Sequence, residues 1–416
     1  MVNEPVTLAD IEAAAERIRG AVLRTPCPPS VALSEITGCE IFCKLDYLQR
    51  TGSFKERGAR NALLLLSPEQ RTRGVIAASA GNHASALSFH GKLLNIPVTV
   101  VMPRFAPLMK VRTCERMGAR VVSHGDDIGA ACEHAMELVR GEQLTYINGF
   151  DDPAIIAGQG TMGLEILEQV PQCDAVIVPI GGAGLIAGVS LAMKSLRPSV
   201  RVIGVQAEHA SSFSASIRAG KPVRVDLQPT LADGLAVPRV GDNAFAIARL
   251  RVDLVVSVNE HQIALALLRL VELEKAVVEG AGATPLAACL TGLVPELRGK
   301  KVVLPLCGGN IDTNMLGRVI ERGLAADGRL CRFTARISDR PGGLARFAAL
   351  LAEEGASVRN IEHDRAFAGD DLMQVVVHCV IETRDHEHVN RVQERLRREG
   401  FHVPVTPDEG VSVSRR

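Results

Sequence analysis

Lys55 is the residue with the most chemistry within reach of its neighbours. It stands in Gln49-Arg50-Thr51-Gly52-Ser53-Phe54-Lys55-Glu56-Arg57-Gly58-Ala59, directly after a turn and at the start of an expected helix. Ser53 is the expected N-cap, because its hydroxyl can accept a free backbone N–H of the first turn. Ala59, Ala62, Leu63 and Leu66 then suit one buried face of that helix. A lysine in the first turn meets the positive end of the helix dipole, which favours loss of its proton. Attack on a carbonyl needs such a neutral amine. Taken alone, Lys55 also reads as an ordinary solvated lysine.

Three further stretches join a strand to a helix or loop. Asp174-Ala175-Val176-Ile177-Val178-Pro179-Ile180-Gly181-Gly182-Ala183-Gly184-Leu185 has three glycines where backbone N–H groups converge on a helix start. That arrangement suits a phosphate. No G-K-[ST] follows, which excludes a nucleoside-triphosphate P-loop. The same residues fit a loose G-x-G-x-x-A dinucleotide fingerprint, with Gln206 and Glu208 near the end of the next strand. A plain strand-to-helix turn is the third reading. Ser79-Ala80-Gly81-Asn82-His83 could hold a carboxylate, with Asn82 as a directed donor and His83 as a base, or be a simple cap loop with a structural histidine. Cys307, after the strand at 301–306, is placed to face a ligand, although a lone cysteine is commonly an inert core residue. A lysine, a phosphate loop and a neutral thiol at strand ends together point to pyridoxal phosphate.

Strands alternating with helices must position these residues. Strands are expected at 75–78, 98–102, 120–122, 144–147, 175–178, 200–205 and 302–306, with helices after 82 and at 106–117 and 128–140. This predicts a mainly parallel sheet covered on both faces, with chemistry at the C-terminal strand ends. Upstream, Thr7-Leu8-Ala9-Asp10 opens a helix through Arg19 with a capping box, the proline-rich Thr25-Pro26-Cys27-Pro28-Pro29 is extended, and 40–45 is a strand. Residues 323–329 read as a linker. Beyond it, strands at 330–337, 357–367, 372–381 and near Phe401, with helices at 344–354 and 387–399, give a βαββαβ ferredoxin-like order. The expected division is a catalytic domain at 1–322, with a smaller subdomain at roughly 52–150 inserted, and a second domain at 330–416.

Composition removes several classes of function. Zero formal net charge, without a basic run, argues against nucleic acid and anionic membranes as partners. Trp is absent and there are two Tyr, so stacking platforms for bases are scarce. Residues 1–19 read as acidic and helical rather than as a signal peptide, and no apolar run approaches the length of a bilayer span. Ten cysteines without a C-x-x-C pair suit a reduced, cytoplasmic protein.

The Thr51–Ala59 stretch resembles the lysine motif of the fold-type-II pyridoxal-phosphate enzymes, the serine/threonine dehydratase family. The similarity runs over about 8–322. It takes in Ala80-Gly81-Asn82-His83, Asp151-Asp152-Pro153-Ala154-Ile155-Ile156-Ala157-Gly158-Gln159-Gly160-Thr161, the glycine loop, Leu231-Ala232-Asp233-Gly234, Glu279-Gly280-Ala281-Gly282-Ala283 and Cys307-Gly308-Gly309-Asn310-Ile311-Asp312. It implies an α/β fold of two open, twisted, mostly parallel sheets with covering helices. By this resemblance Lys55 would carry the cofactor as a Schiff base and take the Cα proton. Phe54 would pack beside the ring, and Asn82 would hydrogen-bond its hydroxyl. Gly181, Gly182, Ala183, Gly184 and Leu185 would hold the phosphate through backbone N–H groups, and Cys307 would lie against the pyridine nitrogen. Ser79, Ala80, Gly81, Asn82 and His83 would hold the substrate carboxylate.

The implied chemistry is β-elimination, because a neutral thiol leaves the ring unprotonated and a weaker electron sink than a carboxylate would. L-Threonine would give 2-oxobutanoate and ammonia, and L-serine pyruvate, as in a carbon–nitrogen lyase. A dehydratase for serine or hydroxyaspartate is the near alternative; a nicotinamide oxidoreductase or a non-catalytic amino-acid sensor is an alternative of another class. Three departures from the family pattern matter. Ala183 replaces one of four usual glycines, and its side chain need not block backbone donation. Racemising relatives carry Ser where this chain has Ala80. Relatives that bind a divalent cation use several carboxylates where Gln206-Ala207-Glu208-His209-Ala210-Ser211-Ser212 offers one, so no metal is expected.

Residues 330–405 resemble an ACT domain, a small amino-acid-sensing module. Asp339, Pro341, Gly342, Gly343 and Leu344 would present N–H groups to an effector's carboxylate. ACT modules pair across subunits, which implies a homodimer or homotetramer.

Overall fold

The computed structural model describes residues 5–365 and 373–404. The chain divides into two units, Met1–Asp312 and Thr313–Arg416. In the first, the larger sheet runs in the spatial order Pro29–Ser30, Glu40–Lys44, Lys301–Pro305, Ala175–Pro179, Arg201–Ala207, Leu254–Val258. Only the first pair is antiparallel. The smaller sheet is wholly parallel, in the order Arg120–Ser123, Val98–Met102, Val75–Ala78, Thr145–Tyr146. Strands such as Ala175–Pro179 and Val98–Met102 are buried along their whole length, as uninterrupted apolar runs require when helices cover both faces.

The helix Lys55–Leu64 packs against Pro153–Gln169 and Asn82–Leu94, so the segment carrying Lys55 is wedged into the fold rather than laid on its surface. The capping box at Thr7 and Asp10 is present, and its helix spans Leu8–Ile18. The expected helix at 106–117 is shorter, Leu108–Arg116, because Pro107 occupies its N-cap and disfavours helical geometry before it. The edge strand Leu254–Val258 had not been anticipated.

In the second unit, three antiparallel strands lie in the order Leu330–Ser338, Gln374–Glu382, Ser357–Asp364. Their alternate residues Phe333, Ala335, Ile337, Val375, Val377, Cys379 and Ile381 form one core with Phe347, Leu350 and Leu351 of the helix Gly343–Glu353 and Val392 and Leu396 of the helix His386–Arg398. The last expected strand is reduced to one bridge, Arg336 to His402. The linker at 323–329 is corrected: the helix Thr313–Ala326 runs through its first part and closes just before Gly328, which takes a left-handed φ of 68°. Residues 366, 367 and 372 of the expected strands, and 405–416 of the expected domain, lie outside the described residues. Among the described residues no helix is long and apolar enough to cross a membrane.

Candidate active site

A cavity of about 510 Å³ opens in the first unit. Its wall includes Phe54, Lys55, Ser79, Ala80, Gly81, Asn82, His83, Gly181, Gly182, Ala183, Gly184, Leu185 and Cys307. These candidates therefore reach one space, from stretches as far apart in sequence as Phe54 and Cys307.

The helix starts at Lys55, but Ser53 is not its N-cap. Phe54 holds that position, with helical backbone angles and no side-chain cap. Ser53 is fully buried, and among the described residues its hydroxyl finds no partner. The loop is secured differently. Glu56 reaches back to accept the Thr51 N–H, while its other oxygen lies 3.1 Å from His90 Nε2. Phe54 N donates to the Cys307 carbonyl at 2.9 Å and Gly309 N to the Gly52 carbonyl at 2.9 Å, so backbone bonds zip the lysine loop to the thiol loop.

Lys55 Nζ donates to the Gly149 carbonyl at 2.6 Å and lies 5.1 Å from the centre of the Phe54 ring. Burial pushes its ammonium down to about 8, against the opposing pull of Cys307 and Glu279. The expected direction holds but its physical origin is desolvation, with no part needed from the helix dipole.

Two residues beyond Lys55, the guanidinium of Arg57 is fully buried between Asp46 and Glu165. Nε and Nη2 donate to Asp46 at 2.7 and 2.8 Å, and Nη1 and Nη2 to Glu165 at 2.6 and 2.9 Å. Lys44 donates to Glu165, to Gln169 at 2.9 Å and to the Thr25 carbonyl at 2.6 Å. Two cations face two carboxylates, and this closed network fixes the base of the lysine helix.

At the other end of the cavity, the helix Gly184–Leu196 begins directly after the glycine loop. A Cβ on Gly182 would lie 2.2 Å from the Phe150 ring, so no larger residue fits there. Ala183 adopts a left-handed backbone with φ 73° and its methyl is buried in the core. Its consequence is therefore backbone strain, about 1–2 kcal/mol for an L-residue, rather than a blocked N–H.

His83 Nε2 lies 3.0 Å from the Ile147 carbonyl, and burial, reinforced by Lys55, pushes its pKa to about 3. It stays neutral and has a structural bond to make, and so low a pKa makes it a weak base. Burial, followed by the neighbouring Glu279, pushes the Cys307 thiol well above its ordinary value, so it too is neutral. Gln206 is buried and bonded to Ser214 at 2.6 Å and Ser257 at 3.3 Å, and neither it nor exposed Glu208 lines the cavity. The dinucleotide fingerprint thus lacks its ribose-binding acid. Among the described residues no group of three or more His, Cys, Asp or Glu could hold a metal ion.

The cavity suits each part of pyridoxal phosphate. A buried amine with a lowered pKa meets the need of the aldehyde. A glycine-rich helix start meets the phosphate, and a neutral thiol and Asn82 offer partners to the ring nitrogen and hydroxyl. Residues 18–308 match the family of pyridoxal-phosphate dependent enzymes, and residues 334–400 match the ACT domain. The chain belongs to the pyridoxal-phosphate dependent enzymes, with an ACT domain following the enzyme domain. It is 44% identical over 400 residues to the L-threonine ammonia-lyase of Thermotoga maritima, covering 96% of this chain and 99% of the relative. Among solved structures it resembles the processed form of threonine deaminase isoform 2 from Solanum lycopersicum, with TM-score 0.72, 35% identity, and 76% of this chain and 92% of that one covered. It also resembles maize serine racemase, with TM-score 0.73, 34% identity, and 77% and 98% covered.

Sequence reasoning missed Gly149 as the Lys55 acceptor and Phe150 as the wall behind the glycine loop; neither carries a local signal. Glu279 and Asn310 lie within motifs that carry the family resemblance, and the motifs alone assign them no task. In the second unit, the Asp339–Leu344 turn brings Gly342, with a left-handed φ of 94°, to the start of the helix Gly343–Glu353. Both oxygens of Asp339 are 3.1 Å from Arg365 Nε. The aspartate is thus engaged, and within the turn Gly343 N already donates to the Arg340 carbonyl at 3.0 Å.

Proposed function

We propose that this protein converts L-threonine to 2-oxobutanoate and ammonia by β-elimination, with L-serine as a second substrate giving pyruvate and ammonia. The observation that carries this reading is the convergence of a buried, easily deprotonated Lys55 amine, the glycine loop and a neutral Cys307 thiol on one cavity. Identity of 44% to an L-threonine ammonia-lyase along nearly the whole chain supports the choice of substrate.

Pyridoxal phosphate, when bound, supplies the electron sink for the pair left on Cα as its proton departs. Gly181 to Leu185 would hold its phosphate, Phe54 and Asn82 its ring, and Cys307 its ring nitrogen. Lys55 is the base: its amine accepts the Cα proton as the Cβ–O bond breaks, and the departing hydroxide takes up one proton to leave as water, so that one H and one OH are lost from the substrate in all. Water then replaces nitrogen on the freed product, so threonine yields 2-oxobutanoate and ammonia with no net change in water. Ser79, Gly81 and Asn82 would orient the substrate carboxylate. Ala80, at the same wall, carries no group that could return a proton, which supports elimination over racemisation. The protein would act in the cytoplasm as a homodimer or homotetramer. An amino-acid effector would bind at Asp339, Pro341, Gly342, Gly343 and Leu344.

Comparing 2-oxo-acid release from L-threonine, L-serine and threo-3-hydroxyaspartate tests the reading. Threonine is expected to give the highest kcat/KM, and a clear preference for either other substrate would overturn the choice. Absence of turnover on all three would leave the sensor reading.

A further inference from the structure

Glu279 stands at the N-cap of the helix Gly280–Leu290, yet its side chain makes no cap bond. Its carboxylate turns to the cavity instead, where it accepts from Asn82 Nδ2 at 2.8 and 3.1 Å. It is 5% exposed, and among the described residues no cation forms an ion pair with it. A buried carboxylate without a paired cation is destabilising, so its retention calls for another reason. Burial pushes its pKa up to about 7, an effect that Asn82 opposes. The surrounding backbone is shaped around it. A Cβ on Gly308 would lie 2.3 Å from Glu279 Oε1, so the residue after Cys307 must be glycine to admit the carboxylate. Glu279 N also donates to the Gly308 carbonyl at 2.9 Å.

The other side of the Asn82 amide is fixed as well. Its Oδ1 accepts from Asn310 Nδ2 at 2.8 Å, and Asn310 Nδ2 also donates to the Thr51 carbonyl at 2.7 Å in the lysine loop. Acceptor and donor are therefore assigned on both ends of the Asn82 amide. One N–H of the Nδ2 group is engaged by the carboxylate, which leaves the second for the cavity that Asn82 lines.

We propose that Glu279 is a positioning residue for the cofactor: with Asn310 it fixes the Asn82 amide so that a nitrogen, and not an oxygen, is offered to the ring oxygen. The proposal rests on reading the cavity as a pyridoxal-phosphate site. Without the carboxylate, the Asn82 amide can turn over and present its oxygen to an oxygen, exchanging a hydrogen bond for a repulsion. The link through Asn310 to Thr51 gives the same arrangement a second purpose, holding the ring-binding amide in register with the lysine loop.

The test is cofactor affinity, measured by absorbance on protein stripped of pyridoxal phosphate. Glu279→Ala is expected to raise Kd at least about tenfold, since a hydrogen bond to a charged group is lost. Asn82→Ala is expected to act similarly, and the double variant to be within about twofold of Asn82→Ala, because both changes remove one interaction. Glu279→Gln keeps an acceptor oxygen and is expected to stay within about threefold of the unaltered protein. Unchanged affinity in Glu279→Ala, multiplying effects in the double variant, or Glu279→Gln binding as weakly as Glu279→Ala would each overturn the proposal. Failure of the unaltered protein to bind pyridoxal phosphate would count against the proposed function instead.

Discussion

Replacing Arg57 by methionine tests whether the buried charge network holds the lysine helix in place. The change removes four hydrogen bonds to two carboxylates and leaves Asp46, fully buried, with little beyond the Thr25 hydroxyl at 2.5 Å. Glu165 keeps Lys44 and some exposure, so most of the penalty falls on Asp46. Removing one partner of a buried pair is destabilising by about 3–5 kcal/mol. For a protein of this size that corresponds to a fall in Tm of roughly 5–15 °C. The pH dependence carries a sign. Burial pushes the Asp46 carboxyl up, but the Arg57 guanidinium beside it holds it below the usual range. In the unaltered protein the stabilisation from Asp46 is therefore full above about 4 and lost as pH falls through its lower folded value. In Arg57→Met burial is largely unopposed and raises the carboxyl above its ordinary value, so the deficit should begin to shrink as pH falls through that raised value, above about 4, and go on shrinking below it as the unaltered protein loses its own stabilisation. Calorimetry of cofactor-free protein between acid and neutral pH measures both effects. A deficit under about 1 kcal/mol at neutral pH, or one that grows on acidification, would refute the reasoning.

Other expectations follow from the same structure. Because the folded pKa of Lys55 lies at about 8, below its ordinary value, stripped protein should take up pyridoxal phosphate faster as pH rises, with a midpoint near 8 in stopped-flow absorbance; a midpoint above 10 would contradict this. The same depression means that Lys55 contributes stability at high pH which is lost as pH falls through about 8. Gly182→Ala forces a methyl against Phe150 and should destabilise by about 1–3 kcal/mol while weakening cofactor binding, as read by unfolding and by titration. Removing the residues from Leu330 onward should leave threonine turnover and abolish any response to added amino acids in a steady-state assay.

The strands were legible because a buried parallel strand has to be a continuous apolar run, as in Ala175–Pro179. The glycine loop was legible for a related reason: nothing larger than hydrogen fits against Phe150 at Gly182. Ser53 misled because local capping rules cannot register that Glu56 and a backbone bond to Cys307 hold the loop from elsewhere. The Lys55 pKa was assigned the right direction from a local dipole, whereas its source is burial by distant segments. Gly149 was invisible in principle, since the group used is a carbonyl that every residue possesses. Glu279 lay in a quoted motif, but its unusual feature, an N-cap carboxylate that does not cap, exists only in three dimensions.

The central claim is that the Lys55 amine carries the cofactor and takes the Cα proton. Borohydride reduction of the protein with pyridoxal phosphate, followed by peptide mass mapping, tests it most directly, with threonine turnover assayed in parallel on Lys55→Ala. The expected result is one pyridoxyl-modified peptide, containing Lys55, and no turnover by the variant. A label on another lysine, or substantial 2-oxobutanoate formation by Lys55→Ala, would contradict it.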